Sequence, residues 1–435
     1  MAIHRQCNGF TRREAIRVGA IGATGLSLGG FLKLSHAGEV ADDAKTRNAI
    51  FIELPGGPSH LDTFDLKPDA PSEIRGKFSP IKTKVAGVEI CEHMPKLAEQ
   101  TDKFTIIRGV SHSLGAHPLG QKFLFTGNRP TPALDYPSYG SVAAKELKTP
   151  VDIPGYVAIP RASQGPGYLG VKYSPLATNE VPTKGRPFNV RGISLAGGIT
   201  LAEIDRRKKL LDDLDQTFAS IERENELLDG LDAFSQKAYK MITSKRTREA
   251  FDVSLEAESY RSQFAEDSFS QSCLLATRLI ESGVRFVTLN LGGWDTHNDN
   301  FTKLKEDLLP KLDNGLAALF NGLHQKGLLE STTVFVTGEF GRTPKINDKS
   351  SDGGRDHYPR CMFMLMGGGA VRGGQVIGAS DATGAGPANE GYKPEDVAAT
   401  FYQAIGIDPK KEYQTPTNRP VMVVREGEVI NDLLI

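Results

Sequence analysis

The 435-residue chain sets 52 Lys and Arg against 53 Asp and Glu, for a net charge of -1 at pH 7, and is 39% hydrophobic. That balance gives no electrostatic reason to expect nucleic acid or an anionic membrane as partner, and the length suits one large globular domain or two smaller ones. The 4 Cys (Cys7, Cys91, Cys273, Cys361) are scattered without a CxxC pair, so neither a disulfide framework nor a thiolate zinc site is indicated.

The chain opens on an address. Thr11-Arg12-Arg13-Glu14-Ala15-Ile16-Arg17 is a twin-arginine motif, followed by the moderately apolar, Gly- and Ala-rich run Val18–Leu32. That run has the length of a signal h-region and is short for a membrane span. Ser35-His36-Ala37 has the small-x-Ala form of a cleavage site. Residues 1–37 are therefore expected to be a twin-arginine export signal, the one membrane association foreseen. Residues 38–435 are expected to form the working domain, outside the cytoplasm and in the periplasm or its equivalent.

Ala49–Leu54 reads as a buried strand stopped by Pro55-Gly56-Gly57-Pro58. Ser59-His60-Leu61-Asp62-Thr63-Phe64-Asp65 follows at its carboxyl end, where an open α/β sheet keeps its ligands; an Asx-capped turn is the structural alternative. A short helix is expected near Met94–Gln100 and a second strand at Phe104–Val110. The next loop holds His112 and His117, and a helix should start with Pro118 in its first turn. Groups just ahead of a helix N-terminus face free N–H groups and suit an anionic substrate. Residues 130–200, rich in Pro and Gly with short β-like runs such as Gly155–Pro160, read as substrate-side loops.

Residues 201–282 change to a charged, helical pattern: Leu201 to about Asp229, Ser235 to about Gln263, and a more apolar helix at Ser268–Ser282 with Cys273 in the core. Gly283–Thr288 is a β-branched run leading into Leu289-Asn290-Leu291-Gly292-Gly293-Trp294-Asp295-Thr296-His297-Asn298, which holds the single Trp. In extended backbone, residues i and i+2 point the same way, so Asp295 and His297 can aim at one point. A carboxylate and an imidazole so placed are natural ligands for a hard or borderline metal; the alternative is an Asp–His hydrogen bond that orders a loop. A helix over about Phe301–Lys326 precedes the strand Thr332–Thr337 and its exit, Gly338-Glu339-Phe340-Gly341-Arg342-Thr343-Pro344. Asp352-Gly353-Gly354-Arg355-Asp356-His357-Tyr358-Pro359 comes before a strand at Cys361–Met366, and Gly367-Gly368-Gly369 lacks the spacing or Lys of a phosphate loop. A helix at Pro394–Ile405 and a closing strand at Val421–Val424 complete the chain.

Strand, Gly and polar residues, then helix recur along the chain, which predicts a layered α/β domain with a mainly parallel central sheet and a helical insertion. Five strand exits carry the same kinds of group: His60 with Asp62, His112 with His117, Asp295 with His297, Glu339 with Arg342, and Asp356 with His357. On one sheet they share an edge, so a single polar site is expected.

Those motifs, above all Gly56–Asp65, Gly292–His297 and Gly338–Pro344 behind a twin-arginine start, resemble the alkaline-phosphatase-like superfamily, which includes sulfatases and metal-dependent phosphoglycerate mutases. The nearer resemblance, over nearly the whole mature chain, is to a bacterial family of exported, functionally uncharacterised proteins placed in that superfamily. The resemblance implies an alkaline-phosphatase-like fold and a divalent-metal site. Asp295 and His297 match an Asp and His near one strand end, two positions apart rather than four. Glu339-Phe340 stands where the superfamily has Asp-His, and His357 matches the last His ligand. Where the first strand normally ends in a metal-binding Asp, this chain has Pro55-Gly56-Gly57, and His60 or Asp62 is the expected substitute. His117 falls at the nucleophile position, as nucleophile, general acid or further ligand. Cys91, Cys273 and Cys361 lack the context of a formylglycine precursor.

The implied enzyme is a metal-dependent hydrolase of phosphate or sulfate esters. Its ligands would be Asp295, His297, Glu339 and His357, with His60 and Asp62 as further candidates. Arg342 and Arg355 would hold the oxygens of the anion, beside His112, with an ion pair to a neighbouring acid as the alternative for either Arg. His and carboxylate ligands without thiolate favour Zn²⁺ or Mn²⁺, and Ca²⁺ is compatible. The expected substrate is an anionic small molecule or glycan. The competing reading is an exported binding or scaffold protein with a degenerate site.

Overall fold

The computed structural model describes residues 48–186 and 239–435 with a few isolated positions between them. The export signal expected over residues 1–37 and the first excursion helix, from 201 to about 229, lie outside the described residues. The main strands are β1 (Asn48–Glu53), β2 (Phe104–Val110), β3 (Tyr156–Ile159), β4 (Leu176–Ala177), β5 (Phe286–Asn290), β6 (Thr332–Thr337), β7 (Gly341–Arg342), β8 (His357–Tyr358), β9 (Met362–Gly367) and β10 (Gln375–Ile377). Eight of them form one sheet in the order β10-β2-β9-β6-β1-β5-β3-β4, and β7 pairs with β8 in a separate ribbon. Every pairing in the large sheet is parallel except those that β9 makes with β2 and β6.

Both faces of this sheet are covered, as a mainly parallel sheet requires. On β1, Ile50 and Ile52 point into one apolar core and Ala49 and Phe51 into the other. The first core packs against α3 (Ser268–Glu281) and α4 (Leu309–Gln325). The second packs against α1 (His117–Leu124), α2 (Tyr139–Glu146) and α5 (Pro394–Ala404). Side chains leaving β1 upward or downward are thus both removed from water, which is why the run NAIFIE is apolar without alternation.

The architecture is the layered α/β domain with a mainly parallel central sheet that the strand–turn–helix recurrence predicts. Several elements differ in detail. The stretch read as loops over 130–200 supplies α2 and two edge strands, β3 and β4. The helix expected over about 235–263 is broken: Lys245–Phe251, a 3₁₀ turn at Val253–Leu255, and Glu258–Arg261. Asp252 breaks it, capping the 3₁₀ turn by accepting from the Ser254 amide. The closing strand is Pro420–Met422, which pairs with Glu412–Gln414 apart from the main sheet. The strand exit assigned to Asp356-His357 is an entrance, because β9 runs against its neighbours and starts where they end. No helix among the described residues is long and apolar enough to cross a membrane.

Candidate metal centre

The carboxyl ends of β2, β6, β1 and β5 and the start of β9 lie side by side, so five loops far apart in sequence meet at one edge. The loop after β5 is held down by its Trp. Trp294 is buried, its indole N–H donates to the Leu291 carbonyl at 2.8 Å and its amide to Pro55 at 3.2 Å. Thr296, also buried, bonds Asn300. With positions 294 and 296 turned inward, Asp295 and His297 emerge together on the open side, as the two-residue spacing predicts. The neighbouring turn must come close to do this: Gly56 has φ +113°, and a Cβ there would run into the Asp295 amide.

Three imidazoles surround the Asp295 carboxylate. His297 Nε2 lies 3.0 Å from Oδ1, His357 Nε2 3.1 Å from the same oxygen, and His117 Nε2 3.4 Å from Oδ2. The Nε2 atoms of His297 and His357 are 3.0 Å apart. Ligand atoms of His117, Asp295 and His357 all fall within 4.8 Å of one another.

The far nitrogen of each ring is fixed by an acceptor. His117 Nδ1 donates to Glu339 Oε1 at 2.6 Å, His297 Nδ1 to Asp356 Oδ1 at 2.5 Å, and His357 Nδ1 to the Gly115 carbonyl at 2.9 Å. Carboxylates and a carbonyl accept, so each Nδ1 is placed to carry a proton while each ring turns its Nε2 inward toward Asp295. A carboxylate ringed by three imidazole nitrogens draws positive charge in among them, as protons on Nε2 or as a bound cation. Two ligands about 2.0–2.1 Å from one tetrahedral ion stand about 3.4 Å apart, close to the spacings seen here. The spacing of His117, Asp295 and His357 therefore suits a divalent cation, with His297 Nε2 beside them, 3.0 Å from both Asp295 and His357.

Charge around the cluster follows the same plan. Burial works to raise the Asp295 pKa, but the hydrogen bond and charge of Arg342, with His357 and His297, outweigh it and hold the carboxyl well below its usual range. Partial burial likewise opposes ionisation of Asp356, yet Lys349, His297 and Asn347 bring it down to about 2. Burial lowers the His357 pKa, against the raising pull of Asp295 and the Gly115 carbonyl, which favours its neutral form. The Phe340 ring packs against His117 and His357, with centroids 5.0 and 4.5 Å away, and gives the cluster an apolar wall.

The other residues expected at the site stand elsewhere. Glu339 is fully buried behind His117, where it also accepts from the Gly56 amide and from Gln121. It orients a ligand rather than facing the centre. Arg342 is fully buried as well: it pairs with Asp295 at 2.6 Å and gives its remaining donors to the carbonyls of Gly56, Gly57, Trp294 and Arg355. Arg355 bonds both oxygens of Asp62 and the carbonyls of Thr343, Pro344 and Ile74, so neither guanidinium is presented to an incoming anion. Asp62 is thereby part of a buried ion pair, and His60 is buried with its Nε2 on the Gly384 carbonyl. His112 donates to the Glu339 carbonyl and accepts from the Leu114 amide, and burial brings its pKa down to about 4.

Asp356 stands among the strand-exit groups expected at the site, here as the partner of His297, whereas Gln121, one helical turn beyond His117, is a contact that sequence reasoning missed. The Gly115 carbonyl carries no side-chain signal. Glu53, at the end of β1, is buried, with its pKa raised to about 7 by that burial despite hydrogen bonds from Ser163 and Asn290.

No curated protein matches the chain. Similar solved structures include the sulfatase PsFucS1 from Pseudoalteromonas sp. (12% identity, 89% of this chain and 71% of that one, TM-score 0.40). They also include an alkaline phosphatase from the Antarctic bacterium TAB5 (12% identity, 83% and 98%, TM-score 0.33). A third is the C-terminal periplasmic domain of EcEptC from Escherichia coli in complex with Zn (10% identity, 90% and 92%, TM-score 0.37). The segments that build the cluster, from Gly56 to His357, all fall within residues 46–434, and over that span the chain belongs to the family described as Protein of unknown function (DUF1501).

Proposed function

We propose that this chain is a metal-dependent hydrolase of phosphate or sulfate esters, built on a His117–Asp295–His297–His357 centre. The observation that carries the reading is the locking of all three Nδ1 atoms by acceptors, which turns three Nε2 atoms toward one carboxylate. A divalent cation there supplies Lewis-acid polarisation of an ester oxygen. Imidazole and carboxylate donors without thiolate favour Zn²⁺ or Mn²⁺. Arg342 keeps Asp295 ionised, while Glu339 and Asp356 hold two rings in the tautomer that can donate a lone pair. The Asp295 side chain is 46% exposed, so the centre is open to a substrate from solution. The twin-arginine motif supports a place of action outside the cytoplasm.

Among the described residues, the hydrogen bonds made to the four ligand side chains from outside the cluster come from Glu339, Asp356, Arg342 and the Gly115 carbonyl, none of them a hydroxyl or thiol. Cys91, Cys273 and Cys361 are buried, and burial raises their thiol pKa values. This favours attack by water over a Ser, Thr or Cys nucleophile. It is also the observation that keeps the second reading, a binding protein with a phosphatase-like centre.

Elemental analysis of the purified chain, with an aryl phosphate, a phosphodiester and an aryl sulfate as substrates, tests both. Stoichiometric metal lost in H297A and H357A, with metal-dependent turnover, is the expected result. Metal without turnover of any of the three selects the binding reading. Absence of metal, with no change in melting on adding chelator, would sink the centre altogether.

A further inference from the structure

The closing hairpin builds a concavity that the metal centre does not use. Glu412–Gln414 and Pro420–Met422 pair antiparallel, with Tyr413 opposite Val421. Tyr413 and Val421 are buried, and Tyr413 joins the second apolar core, so Pro420 and Met422, on either side of Val421, turn outward and are exposed. They form one wall of a cleft of about 490 Å³, and Leu134 and Tyr136, from the loop ahead of α2, form the other. Small-molecule sites typically enclose roughly 300–1,000 Å³.

The walls are tied together. The buried Asn128 side chain donates to the Val423 carbonyl at 2.8 Å and accepts from the Arg425 amide at 3.3 Å. Arg425 Nη1 donates across to the Tyr136 hydroxyl at 3.1 Å, and Tyr136 is 7% exposed. Two guanidiniums, Arg419 and Arg425, line the cleft against one carboxylate, Glu412. Among the described residues neither guanidinium pairs with an acid, and Asp135, next to Tyr136 in sequence, pairs with Lys122 instead. Like charges gathered in one concavity focus a positive potential there. A guanidinium offers five donors in a planar fork that matches the oxygens of sulfate or phosphate, and Arg425 gives one of them to Tyr136. Leu134, Pro420 and Met422 add apolar surface beside these charges, which suits the C–H face of a sugar ring and gives nothing to a bare inorganic ion.

We propose that this cleft is an accessory binding site for an acidic saccharide, with Arg419 and Arg425 on its sulfate or phosphate group and the apolar wall against its ring. The proposal uses no residue of the metal centre and stands whether or not that centre holds a metal.

The test uses the full chain treated with chelator, so that no metal bridges the probe to the histidines, as wild type, R419A and M422E. Arg419 is exposed and bonds the fold through its backbone, to Thr415, and Met422 is 37% exposed, so both variants should melt with the wild type. Calorimetry reads binding of a sulfated disaccharide, its phosphorylated and unsubstituted counterparts, and inorganic sulfate. Wild type should bind one of the charged sugars at least tenfold more tightly than the unsubstituted sugar or the free ion, and the tighter of the two names the group. R419A should weaken that binding about tenfold, as expected for loss of one charge-assisted hydrogen bond. M422E, which sets a carboxylate in the cleft, should weaken it at least as much. A wild type that binds neither charged sugar overturns the proposal, as do folded R419A and M422E that bind them as wild type does. Equal affinity for the charged and unsubstituted sugars, or for the sugars and inorganic sulfate, overturns it too.

Discussion

At the scale of single residues, the centre depends on groups one bond removed from it. Asp356 is half-exposed and bonded to His297 Nδ1, so its loss costs orientation and basicity of that ring more than it costs folding. D356A should weaken metal binding by about 10- to 100-fold with little change in apo-protein melting, measured by competition with a chelating dye. Equal affinities for variant and wild type would remove Asp356 from the centre. Glu53 makes a different prediction. Its carboxyl is raised from 4.5 to about 7, so the folded chain holds that proton more tightly than the unfolded one. Its contribution is best below the unfolded value and falls as pH climbs through the folded one, by up to about 3 kcal/mol. E53Q, which cannot ionise, should therefore gain on the wild type in urea unfolding of the apo-protein between pH 5 and pH 8. A gap that stays constant across that range contradicts the assignment.

At the scale of elements, the turn after β1 and the loop after β5 fit each other with no room to spare. The Gly56 amide donates to Glu339 while its α-carbon faces the Asp295 amide. G56A should force the Asp295 segment away from β1, lowering stability by more than the ~1 kcal/mol of a routine Gly-to-Ala change at positive φ. It should also reduce bound metal to well below one per chain. Retention of full metal with unchanged melting would show that the turn yields. These elements also show what the sequence could and could not reveal. The β-branched runs and Gly stops located β1, β2, β5, β6 and β9, because period and turn chemistry are local. The paired spacing of Asp295 and His297 likewise held their common direction. The direction of β9 was not legible, since strand polarity is set by pairing with distant partners. For Arg342 and Arg355 the alternative left open, an ion pair with a neighbouring acid, is the one formed, with Asp295 and Asp62, while the carbonyls that enclose them carry no side-chain signal.

At the scale of the whole molecule, the proposed cation would be thermodynamically linked to the fold. The ligands come from residues 117, 295, 297 and 357, so unfolding scatters them and releases whatever they hold. Free metal at 100 times its dissociation constant should raise stability by about 2.7 kcal/mol, seen as a melting temperature several degrees above that of chelator-treated protein. Superimposable melting curves for the two samples would mean that the native chain does not bind that metal.

The reversed strand β9 has a consequence for how such a protein comes into being. Because β9 begins at the site edge, His357 sits just before its start, and in sequence it follows the sheet-forming segments β1, β2, β5 and β6. Since synthesis runs from residue 117 through 295 and 297 to 357, the four candidate ligands cannot come together until the segment that opens β9 has been made. A metal bound there as proposed would then be captured late, from those dissolved in the compartment where β9 docks, rather than by the order of affinities alone.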